Sequence, residues 1–139
     1  MAGTELLIQR MTTHDYTSLA SGQESGQTIL AEVNVTQWRE GTLVVLLKEA
    51  SVRSGAVIHV GVVAIERTDD VPGKIFADRT NLVASVDITD NMSSAEHLLL
   101  LDGFTSGFPA NIAVVVTAES ASGTDPLTAT FETRLSLKN

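Results

Sequence analysis

Leu127-Thr128-Ala129-Thr130-Phe131-Glu132-Thr133-Arg134-Leu135-Ser136-Leu137-Lys138 decides the fold class. Leu127, Ala129, Phe131, Thr133, Leu135 and Leu137 alternate with Thr128, Thr130, Glu132, Arg134, Ser136 and Lys138. Successive side chains of an extended strand point to opposite faces. A period of two over this length therefore predicts a strand with one face buried and one wet. The threonines and Phe131 add β-propensity. Asp125-Pro126, just before it, marks the entry.

The pattern continues upstream. In residues 111–118, Ile112, Val114 and Val116 alternate with Ala113, Val115 and Thr117. Both faces are apolar, which predicts a central, covered strand. Ala121-Ser122-Gly123-Thr124-Asp125-Pro126 is a loop joining two antiparallel strands. Residues 82–89 place Leu82, Ala84, Val86 and Ile88 inward, and Val83, Ser85, Asp87 and Thr89 outward. Residues 41–48 and 55–66 are β-branched runs. A helix is the rival for such runs, but crowded Val and Ile lose rotamer freedom in a helix, and Gly61 weakens one further. Residues 27–35 carry Ile29, Ala31, Val33 and Val35 on one face.

Two stretches are less regular. Residues 96–101 read as a strand closed by the turn signal Asp102-Gly103, with Ser93-Ser94-Ala95-Glu96 able to cap a brief helical turn. Residues 104–110 read as a loop whose Phe104 and Phe108 tuck over one end of the core. Residues 1–26 form an N-terminal arm: Leu6, Leu7 and Ile8 can make a strand, and residues 12–26, rich in Thr, Ser, Gly and Gln, are irregular. There is no internal repeat and no low-complexity tract. About eight short strands with frequent turn signals suit a sandwich or barrel. Immunoglobulin hallmarks are missing, since there is no cysteine pair and the one tryptophan, Trp38, precedes a strand. The expected fold is an all-β, single-domain antiparallel β-sandwich over residues 27–139, jelly-roll-like, with about eight strands and an irregular arm.

Composition narrows the function. The 139 residues make one domain. At this size roughly two thirds of the unfolded chain's surface is buried on folding, so one apolar core suffices. With 43% hydrophobic and 19% charged residues the chain does not have the composition of a disordered one. Lys+Arg number 9 against 17 Asp+Glu, a net charge of -8. A nucleic-acid binder exchanges a basic stripe for condensed counterions, and here Lys48, Arg53, Arg67, Lys74 and Arg79 are scattered among acids. The same sign disfavours an anionic membrane surface. No cysteine is present, which excludes disulfides, zinc fingers and thiol chemistry and fits a reducing cytoplasm. Residues 1–10 lack a signal-peptide pattern, and no apolar run nears the roughly 18 residues that span a bilayer.

Candidate chemistry is sparse. His14, His59 and His97 lie on different segments with no metal-ligand spacing. His59 interrupts an apolar run and reads as a hydrogen-bonded strand residue. No serine sits in Gly-x-Ser-x-Gly, and Ser106 lies in a loop. Thr68-Asp69-Asp70 and Asp87-Ile88-Thr89-Asp90-Asn91 offer oxygens without EF-hand spacing and read as solvated turns. Trp38 and Tyr16 are the only large amphipathic aromatics. Trp38 is either half-buried at a sheet edge or one wall of a sugar-stacking surface. Asn34-Val35-Thr36 and Asn91-Met92-Ser93 match the glycosylation sequon, which has no weight without a secretion signal. No catalytic, cofactor-binding or metal residue is expected.

Gln37-Trp38-Arg39-Glu40-Gly41-Thr42-Leu43-Val44-Val45 is followed by Ser54-Gly55-Ala56-Val57-Ile58-His59-Val60. Then come Phe76, residues 82–88, Leu99-Leu100, Ile112-Ala113-Val114-Val115-Val116 and Leu127-Thr128-Ala129-Thr130-Phe131. This layout, over most of the chain after Gln27, resembles the jelly-roll head decoration ("cement") proteins of tailed bacteriophages. The resemblance implies a non-enzymatic virion protein, assembled in the host cytoplasm. It implies a homo-oligomer, as a trimer, bound to the major capsid protein, with neither nucleic acid nor membrane as partner. It carries over no functional residue. A phage tail or connector component is a variant of this expectation. A small ligand- or carbohydrate-binding module and an enzyme on a jelly-roll scaffold are the competing classes. An exposed Trp38 beside a polar groove would favour the binding module, and converging histidines and carboxylates would favour the enzyme.

Overall fold

The structure, a computed structural model, describes residues 3–68, 71–75, 82–93, 97–105, 111–121 and 123–139. These form nine strands and no helix: β1 (Gly3–Asp15), β2 (Thr28–Asn34), β3 (Glu40–Val52), β4 (Val57–Thr68), β5 (Val71–Ile75), β6 (Leu82–Ile88), β7 (Leu98–Thr105), β8 (Asn111–Glu119) and β9 (Leu127–Lys138). One sheet runs β1-β9-β3-β7. The other runs β2-β8-β4, and the far side of β4 is shared, with β6 along residues 58–63 and β5 along residues 65–68. Every pairing is antiparallel.

With β5 set aside, eight strands remain, and nearly every connection crosses from one sheet to the other. Only β4 and β6 follow each other within a sheet. This order is the jelly roll, and the expected sandwich is the observed one.

The core lies between the sheets. Leu127, Ala129, Phe131, Thr133, Leu135 and Leu137, all on one face of β9, are fully buried. Leu43, Val45 and Leu47 of β3 join them, facing Ile58, Val60 and Val62 of β4 and Ile112, Val114 and Val116 of β8. Each such side chain stabilises the fold by about 1.5–3 kcal/mol relative to exposure. β8 is covered on both faces, as its sequence requires: Ala113 and Val115 form a second small cluster with Val63 and Ile65.

Several expectations need correction. β3 does not stop at Lys48. A bulge between Leu47 and Glu49 shifts the inward set from odd to even numbers, so Ala50 and Val52 continue the buried face out of phase. In β2 a register shift between Ile29 and Ala31 leaves Ile29 48% exposed, while Leu30 packs on the core. Residues 12–15 are not irregular: β1 runs to Asp15 along β9, with register shifts on either side of Gln9. Those shifts erase the alternation that marks a strand in sequence. Asp102-Gly103 is not a turn but the middle of β7. Phe104 is a buried strand residue, its ring lying over Gly41, where a Cβ would come within 2.5 Å of it. β5, which contains Pro72-Gly73, was not foreseen as a strand. Phe108, Phe76, Asp69, Asp70, Ser106 and residues 94–96 lie outside the described residues.

Residues 16–27 are irregular, as expected, but tied down. Arg53, at the end of β3, is 5% exposed. Its guanidinium donates to the carbonyls of Thr17 (2.6 Å), Leu19 (3.2 Å) and Gly123 (2.9 Å) and to Ser120 Oγ (3.2 Å). Hydrogen bonds to a charged donor are the stronger kind, so one cation gathers two loops onto the sandwich rim. Gly55, at φ 76°, closes the turn into β4, where Ala56 N–H donates to the Arg53 carbonyl.

Candidate functional site

The outer face of the five-stranded sheet carries the one chemically suggestive cluster among the described residues. His59 on β4 stands opposite Asp87 on β6, and Glu119 lies diagonally across on β8. His59 Nδ1 meets Asp87 Oδ1 at 2.6 Å, and Nε2 meets Glu119 Oε2 at 3.2 Å. Ser85 Oγ also reaches Asp87, at 3.3 Å. Ser, His and Asp are thus close together, but in the wrong order for nucleophilic catalysis. A triad needs the imidazole between serine and carboxylate, free to take the serine proton. Here each ring nitrogen faces a carboxylate and the serine lies beyond Asp87. The imidazole bridges two acids across three strands, which is the strand role read from the sequence.

The other two histidines are elsewhere. His14 stacks on Phe131 with ring centroids 4.7 Å apart and its Nε2 lies 2.7 Å from the Gln9 side-chain oxygen. Burial pushes its pKa below the ordinary histidine value. His97 is exposed before β7. The three histidines do not converge, and the described residues contain no group of three or more His, Cys, Asp or Glu placed to hold a metal ion. In the acidic stretch 87–91, Asp87 is engaged by His59 and Asn91 Oδ1 accepts the Val52 N–H at 2.6 Å, so that oxygen is a loop brace.

Trp38 is half-buried against the core, and its backbone closes a turn onto Val35. That removes the flat exposed indole a sugar would stack on. A depression of about 230 Å³ lies between β7 and residues 87–92, lined by Leu47, Ile88, Met92, Leu98 and Leu100 among others. It is smaller than the about 300–1,000 Å³ of small-molecule pockets.

A different feature stands out on the other sheet. Leu99 and Leu101 on β7 are 52% and 56% exposed. Their partners on β3 are Leu46 and Val44. Four aliphatic side chains therefore share the solvent face of β3 and β7. The same face of β9 and β1 is largely polar, Leu7 apart: Arg134 reaches Glu132 (2.8 Å) and Glu5 (3.1 Å). The four leucines Leu98 to Leu101 read in sequence only as a strand; the exposed face of β7 was missed because an apolar residue on an edge strand looks the same in sequence as one in a core.

Neither any protein-family model nor any curated protein matches the sequence. Among the solved structures to which this chain is similar are two from a virus. One is a chain from the structure of infectious bursal disease virus, Gx strain, with TM-score 0.50, 12% identity, and coverage of 98% of this chain and 31% of that one. The other is from the crystal structure of the infectious bursal disease virus VP2 subviral particle, with TM-score 0.49, 10% identity, and coverage of 98% and 32%. This chain spans about a third of the length of either. At such identities the likeness is one of fold.

Proposed function

We propose that this chain is a non-enzymatic structural protein of a virus particle, and within that class a head decoration protein of a tailed bacteriophage. On this reading it assembles in the host cytoplasm, associates with copies of itself as a trimer, and clamps the major capsid protein. The observation that carries the reading is the jelly-roll strand order of this chain, together with a structural likeness over 98% of its length to a chain of a virus structure. Fold alone does not dictate function. The described surface adds support, because its one His-carboxylate cluster has both ring nitrogens occupied and its largest unusual feature is an apolar strip suited to protein contact. The half-buried Trp38 counts against a carbohydrate-binding module.

The test is direct. Particles banded from the source culture are examined by mass spectrometry and by immunogold labelling against this chain. Stoichiometric presence with label on the head is expected. Label confined to the tail or neck moves the assignment to a tail or connector component. Absence from every particle overturns the reading.

A further inference from the structure

The sheets have edges, and an edge strand is a template for pairing unless something blunts it. Most of these edges are blunted. β1 has two register shifts and carries Glu5 and Arg10. β2 has one shift and carries Glu32. β5 contains Pro72 and Lys74 and its ladder is shifted. The β6 ladder is shifted and displays Asp87.

β7 has none of these devices, and the inward charge that can also guard an edge, Asp102, is engaged by Ser85. Its register to β3 runs unbroken from Thr105 to Leu98. It has no proline and no basic residue. Its one charged side chain, Asp102, turns inward, where Oδ2 accepts the Ser85 N–H at 2.8 Å. Its solvent face is Leu99, Leu101, Gly103 and Thr105. Among the described residues it pairs with β3 alone.

We infer that β7 is a self-association strand, which pairs antiparallel with β7 of a second copy across a twofold axis and joins two four-stranded sheets into one. Two observations select a second copy as the occupant. The first is the strand's own symmetry. Antiparallel neighbours share a face, so a dyad at Leu100 sets Leu99 opposite the partner's Leu101 and Leu101 opposite the partner's Leu99. All the outward positions beside the dyad are then leucine on leucine, and cross-strand apolar pairs are the unit of sheet stability. A dyad at Leu99 or Leu101 instead places His97 or Gly103 opposite a leucine. The second is charge. Each copy carries -8, so two copies meet at least cost where neither presents an acid, and the Leu99–Leu101 part of the β3–β7 strip is such a place, Glu40 lying at its far end opposite Thr105. The pairing is isologous and closes on itself. It is independent of the particle role proposed above: a trimer would need a separate contact, and this strand would link such trimers rather than make them.

The chain's lack of cysteine makes the register testable. Antiparallel partners have Cα atoms about 4.5–5.5 Å apart, within disulfide reach. Leu100→Cys, half-buried on the strand that would carry the dyad, should become a covalent dimer on mild oxidation, while Leu7→Cys, more exposed on β1, should not. In parallel, light scattering or sedimentation follows native mass against concentration. Wild type should rise from one chain towards two. Leu101→Lys should raise the midpoint concentration about tenfold or more, with the melting temperature confirming that the variant folds, and Leu7→Lys should leave it unchanged. Three results would each overturn the inference. These are a single-chain mass up to about millimolar concentration, an association midpoint that Leu101→Lys does not move, and no faster cross-linking at Leu100→Cys than at Leu7→Cys.

Discussion

β9 and β7 flank the same strand, β3, and obey different rules. β9 alternates without fault: six inward residues are fully buried, and the outward ones form a polar ladder through Glu132 and Arg134. β7 alternates only on its inward side, through Leu100, Asp102 and Phe104. Outward it shows leucines. A central strand is flanked on both sides, so its outer face has only water to satisfy. An edge strand with an apolar outer face breaks the binary pattern, and a break of that kind marks a contact surface.

The largest effect should come from the interior of β9. Phe131→Ala is expected to cost about 3–5 kcal/mol in urea unfolding, because a fully buried ring leaves a cavity. A cost near zero would mean that the rim around His14 collapses to fill the space.

Gly41→Ala tests the β3–β7 side. A Cβ there would sit 2.5 Å from the Phe104 ring, so about 1–3 kcal/mol of overpacking is expected. Gly103→Ala, whose nearest atom would be 3.8 Å away, is the matched control and should be close to neutral. Equal effects would show that β7 is not held where the Gly41–Phe104 contact puts it.

Thr133→Val should raise stability by about 1 kcal/mol. Thr133 Oγ1 is buried with no hydrogen-bond partner among the described residues, and an unmet hydroxyl costs about that much or more. Loss of stability instead would reveal a partner for that hydroxyl.

The smallest expected effect is a pH dependence at the β1–β9 seam. Burial lowers the His14 pKa in the folded state, so the fold prefers the neutral ring. Its contribution is complete above the unfolded value of about 6.5 and is lost as pH falls below it, levelling off below the folded pKa. Urea midpoints measured from pH 8 to 5 should show this decline, and His14→Leu should flatten it.

The legible part of this fold is the part with a clean period. The inward set of β9, Ala84, Val86 and Ile88 of β6, and the covered character of β8 follow from alternation. What stayed hidden was wherever the period breaks. The bulge after Leu47 puts Ala50 and Val52 out of phase, and the shifts around Gln9 make β1 look like loose polar chain. Asp102-Gly103 has turn chemistry, yet Asp102 finds Ser85 and Gly103 lies opposite Thr42, so tertiary pairing overrides local preference. Arg53 could not be foreseen as the clamp on residues 16–27, because its carbonyl partners are distant in sequence. The bridging of His59 by Asp87 and Glu119 needed the register of three strands.

The place of β9 in its sheet has a consequence for biosynthesis. The last strand of the chain lies between the first and the third, with Lys138 beside both Gly3 and Glu40. Neither β1 nor β3 has its sheet neighbour on that side until β9 leaves the ribosome. The four-stranded sheet therefore closes only after β9 has emerged, through contacts between strands distant in sequence, and such non-local closure is slow. During that wait β1 is an unpaired strand. The bulges that hide it from a sequence reader also make it a poor template for neighbouring nascent chains.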